Sequence, residues 1–350
     1  MDFMLKKNLK IIMLMLLVMV VISTGIVVGS DEEKDKSQEE QVKVLTLSQA
    51  IDLALEHDLE LKMAEITFDN ARIAHQKAQA NNIMNESRYS QIQNQISFRQ
   101  AQNTYHQKQK QTIIDTVSDY LQLIQSRLGV KIKQKDLNLQ KKNLEKVKTQ
   151  VKNGHKSQLD LTQQQNTYQD TIFALEKAET GLQRQLSKFK AKLDLDQEQQ
   201  VELKEIKLAR EVKINKDEFI SKGLEESMSL WVKQKQIELA ELDLKKAETA
   251  STPKLDLKQI QNNLQWAQLS YKKTKRDKNN SLIGQYNNYI QSQTNLKLSQ
   301  NQLEEARKNY QIVKKQQEAG LKTANDLITA HKSMMQSESS KLIAFKSYFL

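Results

Sequence analysis

A chain of 350 residues with one Pro, eight Gly and no Cys excludes disulfide scaffolds and thiolate metal sites, and its lack of breakers favours long helices over sheets. With 5% aromatics and a mean hydropathy of −0.69 it is too lean for one compact core, but lean enough for narrow seams between long parallel helices. The net charge of +11 raises the question of nucleic acid, but the Lys residues are interleaved with Glu, Asp and Gln. No Arg cluster or aromatic stacking set accompanies them, so no nucleic-acid partner is expected.

Lys6, Lys7 and Lys10 precede an apolar run at 11–28, interrupted only by Ser23, Thr24 and Gly25. With the small residues Val28-Gly29-Ser30 this marks 1–30 as an export signal cleaved before Asp31. The run is longer than a usual signal core, so an uncleaved N-terminal anchor is the alternative. No Cys follows it, which excludes a lipid-modified lipoprotein. Residues 31–44 form a charged linker without periodicity.

The folded part opens at Leu45-Thr46-Leu47. Thr46 or Ser48 can cap a helix whose apolar stripe is Leu47, Ile51, Ala54 and Leu55. A second helix is predicted from about 59 to 80, with Met63, Ile66, Ala71, Ala74 and Ala78 on its small-residue side. From 98 to 152 there is no Pro and only Gly129, and apolar positions 113, 117, 121, 124 and 128 step by three or four. That predicts one helix ~80 Å long at ~1.5 Å per residue. After Gly154, the series Tyr168, Ile172, Leu175, Leu182, Leu186, Phe189 and Leu193 keeps a near-heptad, the mark of coiled-coil packing. Residues 193–213 lose the period, carry Asp194, Asp196, Glu198, Glu202 and Glu205, and read as a linker.

Then the pattern starts again. Residues 223–230 align with 54–61 at an offset of 169. Beyond residue 100 the offset is 166, placing Tyr120 on Tyr286, Gly154 on Gly320 and Asp160 on Asp326. A unit of ~165 residues is too long for a solenoid repeat. The expected fold class is therefore all-α: two tandem repeats of long coiled-coil helical hairpins, 45–192 and 214–350, with little or no β-structure.

Two stretches, 147–161 and 313–327, carry the sharpest local signals. Each is a polar helical run, a Gly, a hydroxyl residue three further on, then Asp-Leu opening another helix. Gly154 and Gly320 supply the left-handed helix end, Ser157 and Thr323 the next cap. Asp160 and Asp326 fall in a first turn, where the helix dipole favours a carboxylate; a pore-lining role is compatible with that. Elsewhere the chemistry is sparse. The five His (57, 75, 106, 155, 331) lack metal-ligand spacing and read as solvated-face residues, with His155 at a tip. No Ser-His-Asp signature, phosphate loop or nucleophile elbow occurs, so neither enzyme activity nor a cofactor is expected. Gly129 and Gly284 read as small-residue packing points, Trp231 and Trp266 as packing residues near the domain ends.

These residues resemble the TolC family of outer-membrane efflux proteins. The family's Leu-Thr-Leu opening and its polar pair between two helices are matched at 45–61. Its paired tip motifs are matched by Gly154, Asp160 and Leu161 and by Gly320, Asp326 and Leu327. The resemblance covers 45–350. It implies a homotrimer whose helices form a hollow α-barrel, with a periplasmic adaptor protein and an inner-membrane pump as partners. By the same resemblance Asp160 and Asp326 lie at the closing, gating end, and Gly154, Gly320, His155 and Leu321 form tip turns that meet the adaptor. In a trimer the two aspartates would place six carboxylates near one constriction.

The sequence departs from the family where the membrane β-strands belong. A spanning hairpin needs at least ~22 residues of alternating pattern. Only 81–97 is available in the first half, and it is rich in Asn, Gln and charge; after Pro253-Lys254-Leu255 the second half turns helix-like at once. The expectation is an exported, envelope-located tunnel protein without its own membrane barrel, membrane-associated through partners or the N-terminal segment. The alternative is an exported coiled-coil scaffold that keeps the fold but does not conduct.

Overall fold

The computed structural model describes residues 43–85, 87–204, 206 and 212–349. The expected signal or anchor and all of the charged linker before Lys43 lie outside the described residues. In chain order the elements are β1 (Lys43–Leu45), α1 (Leu47–His57), α2 (Leu59–Asn85), α3 (Arg88–Lys152), α4 (Gln158–Lys192), β2 (Val201–Leu203), α5 (Lys216–Glu225), α6 (Met228–Thr249), α7 (Lys254–Glu318) and α8 (Ala324–Phe349). Among the described residues the fold is all-α apart from two short strands. α5 and α6 start at 216 and 228, each 169 residues after α1 and α2; α7 and α8 start at 254 and 324, each 166 after α3 and α4.

Two predicted boundaries move. α2 runs on to Asn85 instead of 80, and α3 begins at Arg88 instead of 98, so the polar stretch 81–97 is largely helical. Asn and Gln do not break a helix when one end is capped, and Ser87 accepts the Ser90 N–H at 3.3 Å. In the second half Pro253 stands immediately before α7, where its missing N–H costs nothing. The joints α2/α3 and α6/α7 thus lead from helix to helix, with no strand among the described residues there. The stretch 193–213, expected to be only a linker, carries β2, which pairs in parallel with β1 from Lys43↔Val201 to Leu45↔Leu203.

α3 and α7 are each 65 residues, about 100 Å at ~1.5 Å per residue, and each is covered by a relay of shorter helices. Toward the joints α2 packs on α3 and α6 on α7; toward the tips α4 packs on α3 and α8 on α7. α8 also packs on α3, and α6 reaches α3, where Arg88 meets Glu238 at 2.7 Å and the Arg99 guanidinium lies 4.5 Å from the Trp231 ring centre. The tip half is therefore a layer ordered α4-α3-α8-α7.

The core sits halfway along. Tyr120, the midpoint of α3, is fully buried with Leu45, Ala50, Ala54, Leu123, Phe189, Leu193, Val201 and Leu203. The same turn of α3 presents Val117 and Leu121 to Ile51, Leu296 and Phe345. The Tyr120 hydroxyl reaches the carbonyls of both Leu45 (2.8 Å) and Lys204 (2.7 Å), tying the ends of β1 and β2 to the long helix. Burial pushes its pKa up to about 12. In the second half, Gly223 of α5 lies against Leu282, where an added Cβ would come within 2.6 Å of a Leu282 methyl.

Replacing Tyr120 by Phe removes the hydroxyl that bridges these two carbonyls and leaves the Leu45 carbonyl with only the Lys204 N–H (3.0 Å). It should cost about 1 kcal/mol, read as a lower urea midpoint at unchanged slope.

Candidate functional site

The two sequence-matched turns fold alike, bond for bond. At the end of α3, Gly154 has φ +73, its N–H donates to the Val151 carbonyl (3.0 Å), and the His155 N–H donates to Gln150 (2.8 Å). At the end of α7, Gly320 has φ +74, its N–H donates to Gln317 (3.0 Å), and the Leu321 N–H donates to Gln316 (2.8 Å). Both are Schellman ends, which need a left-handed residue after the cap; glycine takes that conformation without a Cβ clash. His155 and Leu321 occupy the same position past each turn, and both are exposed.

The next helices start with matched capping boxes. Ser157 Oγ accepts the Asp160 N–H, and Asp160 Oδ2 accepts both the N–H and the hydroxyl of Ser157 (2.9 and 2.7 Å). Thr323 and Asp326 repeat the arrangement at 2.8 Å for each bond to the carboxylate. The Ser157 hydroxyl first, then its N–H, hold the Asp160 carboxyl below the ordinary range. For Asp326 the Thr323 N–H comes first, then the hydroxyl. The helix-start reading of both aspartates is therefore met in full, with one oxygen of each committed to a cap.

Cross-helix bonds show how the turns lie together. Gln164 of α4 donates to Gln140 of α3 (3.1 Å), while Asn325 of α8 donates to Asn143 of α3 (2.9 Å) and Lys332 pairs with Asp136 (2.8 Å). Both neighbours run antiparallel to α3. Counting back along each helix puts Asp160 level with position 144 and Asp326 level with 142, a difference of ~3 Å along the axis. The two carboxylates share one height, on the two different helices that flank α3. Within one protomer they do not meet. Asn143, Asn325, Asp136 and Lys332, which align the tips, were missed by sequence reasoning, since each pair is more than 180 residues apart and carries no local signal.

Several other expectations need correcting. His75 stacks on Phe98 (4.6 Å) and His106 lies beside Tyr105, each with one buried ring nitrogen lacking a partner, so these two are not solvated-face residues. His331 stacks on Tyr310 (4.9 Å), and burial first, then Lys135, lower its pKa. Trp266 is 67% exposed under Lys233 and is not a packing residue within the protomer. A Cβ at Gly129 or Gly284 would meet nothing within 4 Å, so neither is a packing point inside the protomer. Among the described residues no group of three or more acidic or His side chains could hold a metal, and no helix is long and apolar enough to cross a membrane.

No protein-family model and no curated protein matches the sequence. Solved structures match over most of the chain. It is similar to the outer membrane protein VceC of Vibrio cholerae, with a TM-score of 0.59 and 12% identity over 87% of this chain and 93% of that one. The CmeC outer membrane channel of Campylobacter jejuni gives 0.58 and 12% over 93% and 92%. The outer-membrane channel OprN gives 0.57 and 14% over 87% of each. At such identities the likeness is one of fold, and the fold is that of the TolC-like outer-membrane channels.

Gly154→Ala and Gly320→Ala should each cost about 1–2 kcal/mol locally, seen as faster amide exchange at His155 and Leu321. Because both tip carboxyls are depressed in the folded state, their caps are complete above the ordinary aspartate value of 3.8 and are lost as pH falls through the lowered values. Carboxyl NMR titrations of Asp160 and Asp326 should have midpoints below 3.8, and Ser157→Ala should return that of Asp160 toward it.

Proposed function

We propose that this chain is an exported member of the TolC-like efflux family, and that three copies close into a helical tunnel in the cell envelope. Cargo moves through it passively, driven by an inner-membrane pump joined through a periplasmic adaptor. The observation that carries this reading is the open pair of edges in the helical layer. On one edge α2 exposes Leu59, Met63, Ile66 and Ile73 at coiled-coil spacing, and α4 exposes Leu159 and Phe173. On the other, α7 exposes Leu255, Trp266, Leu269, Leu298 and Ile312. A layer with two different apolar edges is completed by a head-to-tail ring of copies, since a closing rotation leaves no edge in water. The likeness to outer-membrane channels supports the same assembly. The matched element starts support a tandem duplication, with 45–192 and 214–350 as its halves.

In this reading the hairpins of Gly154 and Gly320 form the closing end. Three copies bring Asp160 and Asp326 into one belt of six carboxylates, able to bias cations and to bind a divalent ion weakly. His155 and Leu321 stand on the outermost turn, where an adaptor would meet them. A second reading, an exported scaffold that does not conduct, is favoured by the strandless helix-to-helix joints.

Light scattering should give three times the chain mass; a monomer would sink the tunnel. Asp160→Lys with Asp326→Lys should lower pump-dependent export while leaving the trimer intact, and unchanged export would put the scaffold reading ahead.

A further inference from the structure

Much of the chain's excess positive charge lies on one face of α3. Between 131 and 152 the helix carries eight Lys against two acids, Asp136 and Glu145. Both acids are engaged, Asp136 by Lys332 (2.8 Å) and Glu145 by Lys148 (3.2 Å). At ~100° per residue, Lys131, Lys135, Lys141, Lys142, Lys146 and Lys152 fall within an arc of ~140°. All but the half-buried Lys135 are exposed, and among the described residues none of the six has a carboxylate within 4.0 Å.

The arc lies opposite the polar bonds that tie α3 to its flanking helices and borders α8 along one margin, at Lys135 and Ile328. α3 meets α4 through Ser126 and Gln140, and α8 through Asp136 and Asn143, all on its other side. Within the arc an open groove of about 590 Å³ is lined by Lys135, Asn138, Lys141, Lys142 and Glu145, with Ile328 of α8 beside them.

We infer that this face of α3 is a docking surface for an acidic α-helix of a partner protein, laid alongside α3. The row of cations runs ~30 Å along the helix axis, the length of a ~20-residue helix. A flat bilayer meeting the tip would touch only the last turn of such a row. Lysines are point charges on flexible stems and suit carboxylates spread along a helix; no Arg, Phe, Tyr or Trp stands between 131 and 156 to grip phosphate or stack bases. Ile328 gives one apolar side chain a seat beside the charges. The surface lies on the flank, beyond the tip contacts, and it needs neither a trimer nor conduction.

The test measures fluorescence anisotropy of full-length protein with a labelled ~24-residue Ala/Leu helix bearing Glu along one face. The probes for comparison are the same peptide with Gln for Glu, and phosphatidylglycerol vesicles. The Glu peptide should bind at low salt. Lys135→Glu with Lys141→Glu and Lys142→Glu should weaken it at least about tenfold, and the three Gln substitutions by less. The same reversal at Lys272, Lys273 and Lys275, exposed on α7, should change it less than about threefold. Circular dichroism checks that each variant keeps its helix. Absent binding, equal binding of the Gln peptide, equal loss from both reversals, or tighter binding to the vesicles would each overturn the surface. None of these results depends on the mass measured by light scattering.

Discussion

A helix of about 100 Å cannot be covered by one ordinary partner, and that constraint shapes the whole chain. α3 and α7 each need an apolar seam buried from end to end. Each gets it from two shorter helices placed in series, one toward the joint and one toward the tip. A relay of this kind leaves a gap at mid-length, where the core residues of α3 would face water. Tyr120, Val117, Leu121 and Leu123 sit in that gap, and α1 with the β1–β2 pair fills it. The small strands are therefore the plug of the seam, and the Tyr120 hydroxyl is the fastening that holds both of them to the spine.

The halves share this plan but not its details. Tyr286, in the place of Tyr120, is only half-buried and meets Phe219 at 6.4 Å. Its neighbour Tyr289 instead bonds the Val212 carbonyl and lies beside Tyr348. The tips, by contrast, agree in every cap bond. A Schellman end and a capping box are closed by groups within five residues of one another, so they form the same way wherever they are placed. The mid-length plug depends on segments brought from far away in the chain, and there the halves have room to differ.

Charge is divided along the same lines. The tip aspartates are held as carboxylates by their own capping hydroxyls and amides, while the lysines of α3 between 131 and 152 largely lack partners in the protomer. One end of the molecule thus carries two capped carboxylates at its turns and a cationic flank behind them. The first is internally satisfied; the second is a surface still seeking its complement.

What could be read from residues alone was whatever short-range chemistry dictates. The scarcity of Pro and Gly required long helices, the three-four spacing at 113–128 found the buried seam of α3, and Gly154 with Ser157 specified a turn before any contact was known. The helix ends within the Asn- and Gln-rich run 81–97 carry no such signal, because those residues neither break nor demand a helix; the restart is marked by the Ser87 cap. Tertiary structure decided the rest: the parallel pairing of Val44 with Glu202, the bonds from Asn325 to Asn143 and Lys332 to Asp136, and the burial of one ring nitrogen each of His75 and His106. These join positions separated by dozens to nearly two hundred residues, or depend on which face of a helix a neighbour covers. No local pattern encodes that, since it follows from how the finished helices lie against one another.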